Sequence, residues 1–283
     1  MIRRMVRMSR WLIVLLMPLL CPASSSPDEH RETFRKTMQL LEKDDENLGK
    51  LLYLRRREVR EFDGGGKLKS KWSVTSRREA YEDLVVSRDI ARNDKPLSAE
   101  ELKKQEEAIK AGVANFRANQ DRKETKKPSK KQNDDKELFR DIPEAFDYKL
   151  IGVENKLGRE ALLFEFTPRN GYSPRSYKLK FLEKTRGKAW VDKATNQLIY
   201  AEAEVYETVN LALGLIGRMT KGTQFRLQRI EVAPGLWVVE SQSFKFDARF
   251  MLVKTFRQEV DERRSEFQLR PKPETAAQNR AGQ

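Results

Sequence analysis

The second half of the chain, from about residue 144 to 270, alternates between apolar and polar positions. This period of two predicts strands that pack one face on a core and turn the other face to water. Glycine-containing links separate the runs and no helical unit intervenes, which predicts one antiparallel meander. The runs are FDYKLIGVE, REALLFEFTP, YKLKFLEK, GKAWVDK, NQLIYAEAEVYE, TQFRLQRIEV, GLWVVESQSFKFDARFMLVKTFRQEV and a last stretch around Arg263 to Leu269.

Two segments of the first half follow the helical period instead. The capping-box pattern of residues 26–29, with a proline at the first helical position, predicts a helix over about residues 27–43. A second capping box at residues 98–101 predicts a highly charged helix that runs to about residue 119. The two apolar stripes contain Phe34, Met38 and Leu41 in the first helix, and Leu102, Ile109, Val113 and Phe116 in the second.

A basic β-hairpin is predicted between these helices. The runs LLYLRRREVREF and KLKSKWSVTS flank Asp63 and three glycines, which suit a tight turn. Its arginines have two interpretations: they dock an acidic partner, or they keep an edge strand soluble. The arginines in question are Arg55, Arg56, Arg57 and Arg60.

Two further segments lack a clear period. Residues 121–137, DRKETKKPSKKQNDDKE, offer nothing to bury and predict a mobile surface loop, so that residues 97–136 form a charged helical insertion. Residues 209–219, VNLALGLIGRM, are nearly uncharged and predict a short helix or an apolar loop. Such a segment packs on the core, or else it is exposed and contacts a membrane or a ligand.

The amino end has the order of a secretory signal peptide. Four arginines precede an apolar run from Trp11 to Cys21, which is too short to span a bilayer, and small residues follow. We expect cleavage after Ser25 and export to the periplasm. The alternative is that Cys21 carries a lipid anchor, although Leu20 stands where a lipoprotein signal normally has a small residue. Cys21 is the only cysteine, so no disulfide is expected in the mature protein.

Positive charge is the dominant compositional feature. The formal net charge is +14, and removal of residues 1–25, which contain four arginines and no acidic residue, leaves +10. After export, anionic lipid head groups or other envelope polyanions are the expected partners of such a surface, and nucleic acid is not. The other interpretation is a basic, well-solvated surface without a specific partner.

The chain offers no recognisable catalytic set. It contains neither a glycine-rich nucleotide loop nor a G-x-S-x-G nucleophile elbow, and His30 is its only histidine. A metal site is therefore not expected, nor is any cofactor. Glu202 and Glu204 share a strand face as a conceivable glycosidase pair, but nothing distinguishes them from the solvated face of a strand. Asp192 begins a link between two strands, where its side chain can accept backbone N–H bonds, and Asn196 suits a left-handed turn position.

Several strands place apolar side chains on one face, which gives the candidate ligand-binding surface. A curved sheet with such a face can enclose an apolar cavity that striped helices cover, although the same pattern also describes a filled core. The candidate ligand-binding residues are Phe164, Phe166, Ile199, Ala201, Ala203, Phe225, Leu227, Phe244, Phe246 and Phe250.

The order of these elements resembles the bacterial outer-membrane lipoprotein-sorting family, which are periplasmic lipoprotein-carrier-like proteins. The resemblance covers most of the mature chain in organisation: an export signal, a first helix, a basic hairpin, a charged insertion and then the strand-rich half. Its specific part is GKAWVDKATNQLIYAEAEVYE, the strand-turn-strand around Trp190, Asp192 and Leu198. The length, the insertion over residues 97–136 and the basicity depart from the best-known carriers and leave the cargo open.

The resemblance implies an α+β fold, an incomplete antiparallel β-barrel whose open side is covered by helices. A single domain would span residues 26–270 and a disordered tail residues 271–283. Its interior would receive acyl chains of a lipoprotein or a lipid, without chemistry, and deliver them at a membrane surface or to an outer-membrane acceptor. The alternative is an envelope interaction or sensor protein on the same scaffold that uses the basic hairpin to dock an acidic partner.

Overall fold

The computed structural model describes residues 26–120, 130–211, 217–250 and 254–270. The predicted signal peptide, Cys21 and the tail from residue 271 lie outside the described residues. The single domain over residues 26–270 remains a prediction.

Strands dominate the described part of the chain and form one antiparallel sheet. In spatial order the main path is β4-β3-β2-β1-β13-β12-β11-β8-β7-β6-β5, and the short β9 and β10 join it through β12. The sheet is open, because β4 and β5 end the path at opposite edges. The strands are β1 (Leu51–Phe62), β2 (Leu68–Tyr81), β3 (Leu84–Arg92), β4 (Lys95–Pro96), β5 (Phe146–Lys156), β6 (Arg159–Pro168), β7 (Thr185–Asp192), β8 (Leu198–Val205), β9 (Val209–Leu211), β10 (Gly217–Met219), β11 (Gln224–Ala233), β12 (Leu236–Phe250) and β13 (Lys254–Leu269).

Four α-helices accompany the sheet in the described residues: α1 (Pro27–Leu41), α2 (Asp44–Gly49), α3 (Ala99–Gln120) and α4 (Lys130–Ala145). Both predicted helix starts are capped: Ser26 accepts the Glu29 N–H at 3.2 Å, and the full capping box forms at α3, where Glu101 accepts the Ser98 N–H at 2.9 Å and the Ser98 Oγ accepts the Glu101 N–H at 3.3 Å. The stripe of α1 is buried as expected. An open antiparallel sheet with helices confirms the predicted fold class.

Two local predictions are wrong, and a third is wrong at its described ends. The expected loop over residues 121–137 is helical from Lys130 onward, because Leu138, Phe139 and Ile142 give α4 an apolar side to pack. The run YKLKFLEK is a 3-10 helix (Tyr177–Lys184), whose buried Leu179 and Leu182 are three residues apart as that helix requires. The described ends of VNLALGLIGRM pair as β9 and β10, and residues 212–216 lie outside the description.

The helices occupy both sides of the sheet. Helix α1 packs on β5 and α4, while the 3-10 helix packs on β6 and β8. At the far edge α3 lies on the other side of the sheet, where its Glu106 binds Arg88 at 2.7 Å. Arg88 pairs with Arg77 across the β2–β3 ladder and therefore shares its face. The helices α1 and α4 and the 3-10 helix together cover one face of the β5–β12 half.

A buried ion pair fixes the short helix α2 against the sheet. The Arg229 Nε on β11 donates to Asp44 at 2.9 Å, and the two side chains are 0% and 9% exposed. The same guanidinium donates to the Gln197 side chain and to the Leu198 carbonyl. Removing one partner of such a pair leaves an uncompensated buried charge, which is far more costly than loss of an exposed pair.

We predict that Asp44→Ala lowers the free energy of unfolding by about 3 kcal/mol, because Arg229 then remains buried without its counter-ion. Urea unfolding of the exported form at neutral pH measures this change. The control is Glu160→Ala, which breaks the exposed pair with Lys193 and should cost no more than about 1 kcal/mol. Equal losses in the two variants would contradict the role assigned to the buried pair.

Candidate functional site

An apolar cavity of about 300 Å³ lies between the sheet and its helices. The floor is formed by β5 to β8, β11 and β12, and the roof by α1, α4 and the 3-10 helix. The roof residues that line it are Phe34, Met38, Leu41, Leu138, Phe139, Ile142, Phe181 and Leu182. Its surface is wholly apolar, so it suits a hydrocarbon group and offers nothing to orient a polar substrate.

Small residues on the floor create the space. Ala189 faces Ala201, and Gly187 faces Ala203, across the β7–β8 ladder. A Cβ atom on Gly187 would lie 2.6 Å from the Phe166 ring and 2.0 Å from the Glu202 carbonyl oxygen. Glycine is therefore required for the Phe166 ring to lie across β7. Larger side chains from β11 and β12 bound the floor beyond the alanines.

Six of the ten predicted ligand-binding residues line this cavity: Phe166, Ala201, Ala203, Phe225, Leu227 and Phe244. Phe164 is buried beneath α1, in edge-to-face contact with Phe34 at 5.2 Å between ring centroids. Phe246 packs on a neighbouring cluster with Val205, Val209 and Met219. Phe250 belongs to β12, and its side chain lies outside the description. That the six residues bind a ligand remains a prediction.

Ile199 lies on the opposite face of the sheet, which corrects the predicted alternation. Trp190 pairs with Tyr200 but Val191 pairs with Leu198, so Ile199 is an extra residue in β8. This bulge resets the alternation, as bulges do. Leu198 consequently faces the cavity, while Ile199 packs on a second core with Trp190 and Trp237.

The sequence analysis named the roof residues of α1 as an apolar stripe but missed the five roof residues of α4 and the 3-10 helix. A helix could have been predicted from the spacing of Leu138, Phe139 and Ile142, which are one, three and four residues apart and so fit one helix face. The polar run before them led to the prediction of a loop instead. Phe181 and Leu182 gave no such signal, because the alternating pattern around them favoured a strand.

Polar anchors near its carboxyl end hold α4 over the cavity. The buried Asp141 accepts the Tyr172 hydroxyl at 2.6 Å and the Arg175 Nε at 2.8 Å. Burial, and then the hydrogen bond to Asp141, raises the pKa of Tyr172 well above its usual value. The Tyr148 hydroxyl donates to the Ile142 carbonyl at 2.6 Å, and burial raises the pKa of Tyr148. Both phenols therefore stay neutral donors that tie α4 to its surroundings.

Asp192 performs the predicted turn role. Its Oδ1 accepts the N–H groups of Ala194 and Thr195 at 3.1 and 2.8 Å, and its Oδ2 accepts the Arg159 Nε at 2.5 Å. Burial alone would raise the pKa of Asp192, but the hydrogen bonds from Arg159 and Thr195 lower it overall. Asn196 has a left-handed φ of 57°, as predicted for the end of this turn. All the described contacts of Asp192 are structural.

Glu202 and Glu204 lie on the face opposite the cavity. They border a groove of about 510 Å³ whose charges alternate in sign across the strands. Glu204 pairs with Arg186 at 2.6 Å, and Glu202 lies between Lys188 and Arg226 in the ladder. Each carboxylate thus has basic neighbours on the adjacent strands, which is the arrangement of a solvated charged face.

The described residues also bear on other classes of function. No group of three or more His, Cys, Asp or Glu side chains in this part of the chain is placed to hold a metal ion. Among the helices described, none has the length and apolar character that crossing a membrane requires.

No protein-family model matches the chain, and no curated protein matches it. Among similar solved structures, a DUF1329 family protein from Desulfovibrio piger is 14% identical over 87% of this chain and 94% of that chain, with a TM-score of 0.30. An outer membrane lipoprotein-sorting protein domain from Vibrio parahaemolyticus is 8% identical over 88% of this chain and 98% of its own, with a TM-score of 0.30.

A LolA superfamily protein from Nitrosomonas europaea is 10% identical over 84% of this chain and 94% of that chain, with a TM-score of 0.26. Two of these three neighbours, the lipoprotein-sorting domain and the LolA superfamily protein, are of the kind that the sequence resemblance named. At such low identities and TM-scores the likeness supports no statement about what this chain binds.

We predict that Asp192→Asn lowers the free energy of unfolding by about 2 kcal/mol at pH 7, the range expected for hydrogen bonds to a charged group. The folded state lowers the pKa of Asp192, so its contribution is full above the unfolded pKa of about 3.9 and is lost as pH falls through the folded pKa. Urea unfolding from pH 3 to 8 should show the wild-type advantage shrinking below about pH 4. A difference that is constant over this range would contradict it.

Proposed function

We propose that this chain is a non-enzymatic binding protein that holds one acyl chain in the cavity beneath α4 and carries lipidated cargo in the periplasm. The observation that supports the proposal most directly is a wholly apolar cavity on the covered face of an open sheet. A filled core would leave no such volume, and a catalytic site would need polar groups that converge on it.

The size of the cavity suits a single hydrocarbon chain. At about 30 Å³ for a group the size of a water molecule, 300 Å³ accommodates roughly ten methylene groups. Burial of each contributes about 0.8 kcal/mol, so roughly 8 kcal/mol is gained before the cost of immobilising the chain. That total corresponds to micromolar affinity at best, which allows release to an acceptor that binds the cargo better.

The roof provides a way in. The described polar contacts of α4 lie at its carboxyl end, through Asp141, Glu144 and the Ile142 carbonyl. Leu138 and Phe139 reach the cavity from the same half of α4, within one turn of these anchors. Tilting of α4 about the anchored end would admit a chain.

Periplasmic location and cargo follow from separate arguments. The location rests on the signal-peptide pattern of residues 1–25, with a lipid anchor at Cys21 as the alternative. The cargo is an acyl chain of a lipoprotein or of a lipid. Mass spectrometry of lipids extracted from the purified exported protein tests both classes of cargo.

We predict that Ala201→Phe lowers the affinity for a fluorescent acyl probe at least tenfold, because the ring fills the floor of the cavity where the chain would lie. Fluorescence titration measures the affinity, and circular dichroism with urea unfolding checks the fold. Ala80→Phe is the matched control, since Ala80 is exposed on β2 and should leave binding unchanged.

If Ala201→Phe does not fold, Ala203→Leu is a smaller change at the next lining position on the same face. The proposal fails if no lipid co-purifies with the wild type and the probe does not bind at micromolar protein. It also fails if the probe binds the wild type and the two cavity variants equally.

A further inference from the structure

The four arginines of the first hairpin divide between the two faces of the sheet. Arg56 binds Asp94 at 3.0 Å and Glu58 at 3.1 Å, and Arg60 binds Asp261. Their guanidinium groups are therefore neutralised on the face opposite the cavity. Arg55 and Arg57 alternate with them along β1 and so lie on the cavity face.

Arg55 and Arg57 have no hydrogen bond or ion pair with any residue in the part of the chain that the structure describes. Arg55 lies opposite another cation, Arg264, in the β1–β13 ladder. Arg57 lies opposite Glu262, but that carboxylate is already bound by the Arg264 Nη2 at 2.5 Å. Two adjacent guanidinium groups on one strand face are thus available to an anion.

An apolar row connects these arginines to the cavity. Phe244, which lines the cavity on β12, pairs with Val260 on β13. Val260 pairs with Val59 on β1, and Val59 pairs with Trp72 on β2. Val59 is fully buried, whereas Trp72 is 38% exposed at the end of the row. Arg57 is two residues from Val59 on the same strand face, so the cations flank the apolar row.

The distances fit one amphiphile. One strand spacing of about 4.8 Å separates Phe244 from Val260, and a second separates Val260 from β1, so the arginine strand lies about 10 Å beyond the cavity wall. The roof helices pack on the β5–β8 half of the sheet, so the row leaves the cavity on the β12 side. A chain longer than the roughly ten methylenes of the cavity would continue over Val260, which is partly exposed, whereas the fully buried Val59 lies behind it.

We propose that the ligand is an anionic lipid: its acyl chain enters the cavity, follows Phe244 and Val260, and its phosphate head group binds Arg55 and Arg57. This inference rests on the proposed function and assigns the head-group chemistry to it. Guanidinium groups bind phosphate in a bidentate, charge-assisted manner, and an adjacent apolar surface favours the attached hydrocarbon over a free anion.

The test compares two ligands that differ only in the phosphate, palmitoyl lysophosphatidic acid and monopalmitoylglycerol, by displacement of a fluorescent acyl probe from the exported protein. The double variant Arg55→Gln/Arg57→Gln should lower the affinity for the phosphate ligand about tenfold or more. Its affinity for the neutral ligand should stay within about twofold of the wild type, because the cavity is intact.

Arg56→Gln/Arg60→Gln is the matched control. It removes the same charge from the same strand but on the opposite face, and should leave the preference for the phosphate ligand unchanged. Glycerol phosphate, which has no chain, should not displace the probe at concentrations where the lipid does.

Four outcomes would overturn the inference while the proposed function stands. The preference for the phosphate ligand is unchanged in Arg55→Gln/Arg57→Gln, or the control variant loses that preference equally. Alternatively, glycerol phosphate alone displaces the probe, or the only property that Arg55→Gln/Arg57→Gln loses is salt-sensitive binding of an acidic peptide. If the wild type binds neither lipid and no probe, the proposed function itself fails.

Discussion

The alternation of side chains along antiparallel strands is the constraint on which this structure depends. Because successive residues point to opposite faces, the β5–β12 half gives one apolar face toward the cavity and an opposite face that carries charged side chains and the small second core around Trp190 and Trp237. The charged face is satisfied by cross-strand pairs such as Arg186 with Glu204. The apolar face needs a cover, and α1, α4 and the 3-10 helix provide it. The cavity exists because this cover does not fill the space above the small residues of β7 and β8.

Rigid attachments around the cavity explain how an apolar space persists without collapse. On one side, Arg229 and Asp44 fix α2 to β11; on another, Asp141 ties α4 to the segment before the 3-10 helix. A buried polar or charged group that loses its partner is strongly destabilising, so each of these contacts must stay formed. These anchors hold α2 and the carboxyl end of α4, while only apolar side chains meet across the cavity. Binding of a hydrocarbon would supply the contacts that the empty space lacks.

Local signals gave reliable predictions where a single element decided the outcome. Both helix N-caps, the stripe of α1, the first hairpin and the Asp192 turn have their causes within a few neighbouring residues, and all of them formed. Predictions failed where the local structure depends on contacts with residues that are distant in the sequence. Ile199 changed face because β8 has one extra residue relative to β7, and YKLKFLEK became a 3-10 helix because Leu179 and Leu182 pack in the core on the roof side of the sheet. Helix α4 extends into a polar run because Leu138, Phe139 and Ile142 pack against α1.

The sequence by itself determined the strand-rich α+β architecture, the helix starts, the turn at Asp192 and six of the residues that line the cavity. It did so because periodicity and turn chemistry are properties of neighbouring residues. Only the tertiary structure decided that a cavity remains, which helices form its roof, and which arginines of the first hairpin are left without partners. Arg55 and Arg56 are adjacent in sequence and chemically identical, yet strand alternation and the position of Asp94 neutralise one and leave the other facing the apolar row.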